Sequence, residues 1–139
     1  NFPASLTSIG ESAFSFCSNL TEIHLPASLT SIGEGTFWSC SSLTEINLPA
    51  SLASIGESAF SGCSSLTEIN FPASLTSIGE SAFSFCSSLT EVICYALVPP
   101  KLNGFSNSTI ENLYVPAESI QAYKDSSWAI YFKNILPIE

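Results

Sequence analysis

The chain has 139 residues, 45 % of them hydrophobic and 11 % charged, apolar enough for one packed domain and too apolar for a disordered one. Twelve acidic residues against three lysines give a net charge of −9, which leaves no basic footprint for nucleic acid or for an anionic membrane surface. No apolar run approaches the roughly 18 residues of a membrane-spanning helix.

The same phrase opens at Phe2-Pro3, Leu25-Pro26, Leu48-Pro49 and Phe71-Pro72, a period of 23 residues. A fixed period of this size marks a solenoid, in which each coil buries its apolar side only by stacking on its neighbours. Leu6, Leu29, Leu52 and Leu75 share one column, Ile9, Ile32, Ile55 and Ile78 a second, and Phe14, Phe37, Phe60 and Phe83 a third. These uniform apolar columns are the expected core. Segment 20–25 has the L-x-x-I-x-L spacing of a strand with Ile23 and Leu25 inward and Glu22 and His24 outward. A second extended piece ends at Gly10, Gly33, Gly56 and Gly79, where a turn of positive φ is expected. The Ser-Ala-Phe-Ser stretch allows at most one turn of helix.

Residues 1–93 therefore divide into four 23-residue repeats, and residues 94–139 into a degenerate last repeat and a C-terminal cap. In this tail, 110–116 is expected to form a fifth strand, 117–124 and 127–133 short helices, and 135–138 a last strand. Pro99-Pro100 and Gly104-Phe105 stand where the phrase would continue. The expected fold is a right-handed leucine-rich-repeat-like stack with a parallel sheet, mostly β and turns. The chain contains no methionine and starts in mid-phrase without a cap, as expected of a piece of a longer protein with further coils upstream.

The repeat resembles the BspA-like leucine-rich repeats. The residues that carry the likeness are Leu-Thr-Glu-Ile-Asn-Leu-Pro at 43–49, Ile55-Gly56, Ala59-Phe60 and Cys63-Ser-Ser-Leu66. The tail is similar to that family's terminal unit through Pro99-Pro100, Tyr114-Val115-Pro116, Ala122-Tyr123-Lys124 and Trp128. The resemblance implies a surface or secreted protein, mainly bacterial, that works in adhesion and partner binding. It carries over no ligand motif.

Candidate chemistry is sparse. Cys17, Cys40, Cys63 and Cys86 form one inward column and Cys94 takes a core position. Parallel Cβ vectors about 4.8 Å apart suit neither a disulfide nor a tetrahedral zinc, so these are expected to be buried free thiols. The single His24 and single Asp125 fall on distant coils, and His24 and Cys17 point to opposite sides, which argues against a nucleophilic triad. No cofactor is expected. Glu22, Glu45, Glu68 and Glu91 form one acidic ladder, and Glu11, Glu34, Glu57 and Glu80 another. They are solvated carboxylates, an attraction for a basic partner, or, for the first ladder, a candidate Ca²⁺ site. Phe16, Trp38 and Phe85 replace Ser or Gly of other coils, either as an outward ridge or as packing between coils. Asn19-Leu-Thr21 and Asn107-Ser-Thr109 are sequons with meaning only in a eukaryotic secretory pathway.

The expected function is a non-enzymatic, adhesin-like interaction module outside the cell or on its surface. Its partner-binding residues would be Glu22, His24, Glu45, Asn47, Glu68, Asn70 and Glu91 on an acidic concave sheet, with Trp38 beside them. A host surface or matrix protein is the expected partner. A passive spacer and a glycan-binding module are the alternatives.

Overall fold

A computed structural model describes residues 2–102, 104–106 and 109–138. Each coil contributes two short strands. The first set is β1 (Ser8–Ile9), β3 (Ser31–Ile32), β5 (Ser54–Ile55), β7 (Ser77–Ile78) and β9 (Lys101–Leu102), paired in that order as a parallel five-stranded sheet. The second set is β2 (Glu22–His24), β4 (Glu45–Asn47), β6 (Glu68–Phe71), β8 (Glu91–Cys94), β10 (Ile110–Val115) and β11 (Phe132–Pro137). The result is a parallel β-solenoid of about six turns. A 3₁₀ turn at Ala117–Ser119, the helix α1 (Ile120–Lys124) and a second 3₁₀ turn at Ser127–Tyr131 lie between β10 and β11.

The turns are stacked as regularly as the strands. Within a coil, Ala13, Ser15 and Cys17 donate backbone N–H bonds to the carbonyls of Gly10, Ser12 and Phe14. The intervening residues bond across coils, with Ser12, Phe14 and Phe16 N–H donating to Glu34, Thr36 and Trp38 carbonyls. Alternating local and cross-coil bonds satisfy the backbone without helix or strand. Where sequence reading allowed a turn of helix, the chain is thus a run of tight turns.

The glycine expectation needs correction. The left-handed residues come two and six positions later, as Ser12, Gly35, Ser58 and Ser81, then Phe16, Ser39, Gly62 and Phe85. Gly33, Gly56 and Gly79 are required instead by close approach: a Cβ on Gly56 would lie 2.6 Å from the Gly33 carbonyl carbon and 2.7 Å from the Glu34 nitrogen.

The core follows the apolar columns. Phe14, Phe37, Phe60 and Phe83 stack ring on ring, with centroids 5.5, 5.3 and 5.1 Å apart, and Phe105 extends the stack 4.9 Å beyond Phe83. Ser28, Ser51 and Ser74 each donate a hydroxyl bond to the preceding coil's Leu6, Leu29 or Leu52 carbonyl. Ser119 of the tail does the same to Leu97. The repeat geometry therefore runs on into the tail.

Two further expectations change. The strand face is not one sheet: among the described residues β2 pairs only with β4, while β6, β8, β10 and β11 form a separate four-stranded sheet. Phe71, at the end of β6, is buried edge-on against Phe83, Phe105 and Trp128, which anchors β6 toward the Trp128 cluster. The second helix expected in the tail is a 3₁₀ turn, and the last strand begins earlier, at Phe132, whose buried ring stacks on Trp128. No helix is long and apolar enough to cross a membrane.

Candidate interaction surface

Strand alternation turns Ile23, Ile46, Ile69 and Val92 inward and their neighbours outward. Parallel register then converts single residues into rows. Glu22 pairs with Glu45 and His24 with Asn47 on the first sheet; Glu68 pairs with Glu91 and Asn70 with Ile93 on the second. Glu22, His24, Glu45, Asn47, Glu68 and Asn70 are exposed and Glu91 is half-buried. The structure thus groups the residues singled out from sequence into two patches. They are separated where β4 and β6 do not pair, by a cavity of about 260 Å³ lined by Glu45, Asn47, Glu68 and Asn70.

The two patches differ in their surroundings. His24 Nε2 lies 3.6 Å from Glu22 Oε1, with both side chains largely in solvent, a pair of little energetic weight. At the other patch, Glu91 Oε2 is buried and has no hydrogen-bond partner. A buried carboxylate oxygen without a donor is costly. Among the described residues no three His, Cys, Asp or Glu side chains converge as a metal site, so the Ca²⁺ candidate rests on pairs of glutamates. The acidic row passes into an amide row, Asn112 Oδ1 accepting from Asn134 Nδ2 at 3.0 Å.

The adjacent row turns apolar toward β11. In the column of His24, Asn47 and Asn70 the next rungs carry Ile93, Tyr114 and Leu136. Tyr95 beside them is 45 % exposed and bounds cavities of about 420 and 280 Å³ with Phe71 and Tyr114. Sequence reading missed this apolar end, although Ile93 breaking a polar column was the visible signal. Trp38 lies elsewhere, on the turns, against Phe16. Of the sequons, Asn19 is exposed, while Asn107 and Ser108 fall outside the described residues.

The cysteine column is free thiol throughout. Cys40, Cys63 and Cys86 donate S–H bonds to the Phe14, Phe37 and Phe60 carbonyls of the preceding coil, at 3.1, 3.3 and 3.1 Å. Burial pushes the Cys40, Cys63 and Cys94 thiols up and Cys86 to about 12. An unfolded thiol ionises near 9.0, so the thiol contribution is fully present below that pH and lost as pH rises through the folded values. Alkali is therefore expected to lower the melting temperature progressively above about pH 9. In native protein at neutral pH, a thiol reagent is expected to modify half-buried Cys17 and spare the other four. Rapid native labelling of Cys63 or Cys86 would contradict this burial.

The sequence matches the model of the BspA type leucine rich repeat region, in six copies over residues 1–109. No curated protein sequence matches the chain. In three dimensions it is similar to the pneumococcal vaccine antigen PcpA, at 20 % identity and a TM-score of 0.68 over 99 % of this chain and 43 % of that one. It is also similar to a leucine-rich repeat protein from Bacteroides ovatus, at 23 % identity and a TM-score of 0.56 over 100 % and 47 %. A T. pallidum leucine-rich repeat protein gives 22 % identity and a TM-score of 0.51 over 88 % and 72 %. The chain thus spans less than half the length of the first two, and these likenesses concern the fold. By its repeat, matched over most of its length, the chain belongs to the BspA-type leucine-rich-repeat family.

Proposed function

We propose that the chain is a non-enzymatic protein-interaction module, displayed on a cell surface or secreted, whose β6–β8–β10 face receives a partner carrying both basic and apolar side chains. The observation that carries this reading is the Glu68–Glu91 pair, in register and with Glu91 Oε2 buried and unpartnered. A lysine or arginine from a partner, set against exposed Glu68 and the accessible side of Glu91, would relieve two like charges. The apolar residues Ile93, Tyr95 and Tyr114 next to the pair give such a partner something to bury. Membership of a family of surface repeats and likeness to a vaccine antigen support the location.

The test is binding of the labelled domain to a panel of immobilised host matrix proteins over a range of salt. A saturable protein hit is expected to weaken with salt. Glu68→Gln with Glu91→Gln should cost about tenfold in affinity and flatten the salt dependence. The same variant should be at least as stable as the parent, because it removes the repulsion between two like charges in register. Silence across the panel, or a hit indifferent to the double change, favours the spacer reading, to which near-identical coils are suited.

A further inference from the structure

Six residues after each stacked glycine the backbone enters the left-handed region, with φ of 61° at Phe16, 58° at Ser39, 81° at Gly62 and 61° at Phe85. Glycine sits there without strain; a large side chain does not. Two of the four coils nevertheless place phenylalanine at this point. Both rings are turned to water, Phe16 64 % and Phe85 66 % exposed. A ring left two-thirds in solvent returns little to folding, and Ser39 and Gly62 close the same turn without one.

Trp38 is a third departure of the same kind. One position before the left-handed residue, the third and fourth coils carry buried Ser61 and Ser84. The second coil carries Trp38 instead, 44 % exposed, with its ring 5.1 Å from Phe16 at an angle of 51°. Strain and apolar exposure thus recur on one strip of the solenoid.

Backbone bonds fix the layout of that strip. The N–H groups of Phe16, Ser39 and Gly62 donate to the carbonyls of Trp38, Ser61 and Ser84 in the following coils. Phe16 and Phe85 therefore stand three rungs apart, about 14 Å at strand spacing. Between them the equivalent positions carry no ring, only half-buried Ser39 and Gly62 in close contact: a Cβ on Gly62 would lie 3.1 Å from Ser39 Oγ. The strip is an aromatic wall at Phe16–Trp38, a floor of hydroxyl and bare backbone at Ser39–Gly62, and a second aromatic wall at Phe85.

No charged residue occurs in 12–19, 35–42, 58–65 or 81–88, the segments that build this strip. A protein anchor would call for a continuous apolar patch, whereas here the rings are separated by hydroxyl-bearing floor. Pyranose rings offer apolar C–H faces for aromatic stacking and hydroxyls for the floor. The span suits several such rings in a row. An acidic glycan would meet a body of net charge −9 without any compensating cation on the strip. We propose that the Phe16–Trp38–Ser39–Gly62–Phe85 strip is a binding site for a neutral linear oligosaccharide, separate from the strand face.

The chain carries its own reporter, because Trp38 faces solvent while Trp128 is fully buried in the cap. Tryptophan emission is followed while the full chain is titrated with cellotetraose, laminaritetraose, chitotetraose and a sialylated tetrasaccharide. A saturable blue shift with at least one neutral sugar is expected. Phe16→Gly and Phe85→Gly should each weaken that binding about fivefold or more, yet melt at the same temperature or a few degrees higher as strain is released. Glu68→Gln with Glu91→Gln should leave the sugar affinity unchanged, so failure of the strand-face reading and failure of this one are told apart. No response to any neutral sugar, or response only to the sialylated one, overturns the proposal. So does a marked fall in melting temperature in both glycine variants, which would make the rings part of the packing.

Discussion

Gly79→Ala is expected to lower the melting temperature by roughly 10 °C, corresponding to a loss of about 3 kcal/mol or more. An alanine Cβ at this position would lie 2.6 Å from the Gly56 carbonyl carbon and closer still to the Glu57 nitrogen. Both obstacles are backbone of the preceding coil, and that backbone is tied in place by the bond from Gly79 N–H to the Ile55 carbonyl at 2.8 Å. No side chain can rotate away to make room. The two coils must separate, which weakens the Ile55–Ile78 rung and the Phe60–Phe83 stack together. Gly10→Ala is the control, since a Cβ there meets nothing within 4 Å. It should melt within about 2 °C of the parent, helped if anything by a less flexible unfolded chain. Circular dichroism melts of the two variants decide the matter, and a Gly79→Ala protein melting like the parent would sink the close-approach account.

That pair of variants also marks the limit of what the sequence discloses. A glycine repeated every 23 residues says that a side chain is excluded without saying why, and positive φ was the wrong choice of two reasons. Only the stacking of the coils separates the glycine that turns from the glycine that touches. The apolar columns were legible because each column meets the same neighbours in every coil, so one assignment of inside and outside serves the whole stack. Phe105 was harder. It continues the phenylalanine stack, but Leu102 precedes it by fewer residues than Ile78 precedes Phe83, and the shortened turn hides the homology. The division of the strand face between β4 and β6 left no signal in the outward residues, which are the same Glu and Asn on both sides; the one difference is Phe71 where β4 is followed by Leu48. The surfaces proposed for binding leave a further trace in the sequence where a column is broken: Ile93 among polar residues, and Phe16, Trp38 and Phe85 among Ser and Gly.

The aromatic cluster around Trp128 supplies the second large effect. Trp128→Ala is expected to cost about 3–5 kcal/mol from the lost ring alone. Trp128 is fully buried, with Tyr123 edge-on at 5.5 Å, Phe105 at 5.7 Å and Phe132 stacked at 6.1 Å. Its Nε1 donates to the Pro100 carbonyl at 2.9 Å, an acceptor that the variant strands, at a further cost of about 1–3 kcal/mol. Against a total stability of about 5–15 kcal/mol, such a loss removes much of the margin. The damage should be uneven. In a stack held by nearest-neighbour contacts, a failed end frays first and the far coils feel it only through the rungs between. Hydrogen exchange of Trp128→Ala is therefore expected to show β9, β10 and β11 opening early while β3 and β5 keep most of their protection. Trp128→Phe, which keeps one aromatic ring but loses the indole N–H bond and part of the buried ring volume, should fall between the variant and the parent. Uniform loss of protection along the chain would mean that the solenoid melts as one cooperative block, and that the aromatic cluster around Trp128 is a keystone for every coil instead of a local support for its own rungs.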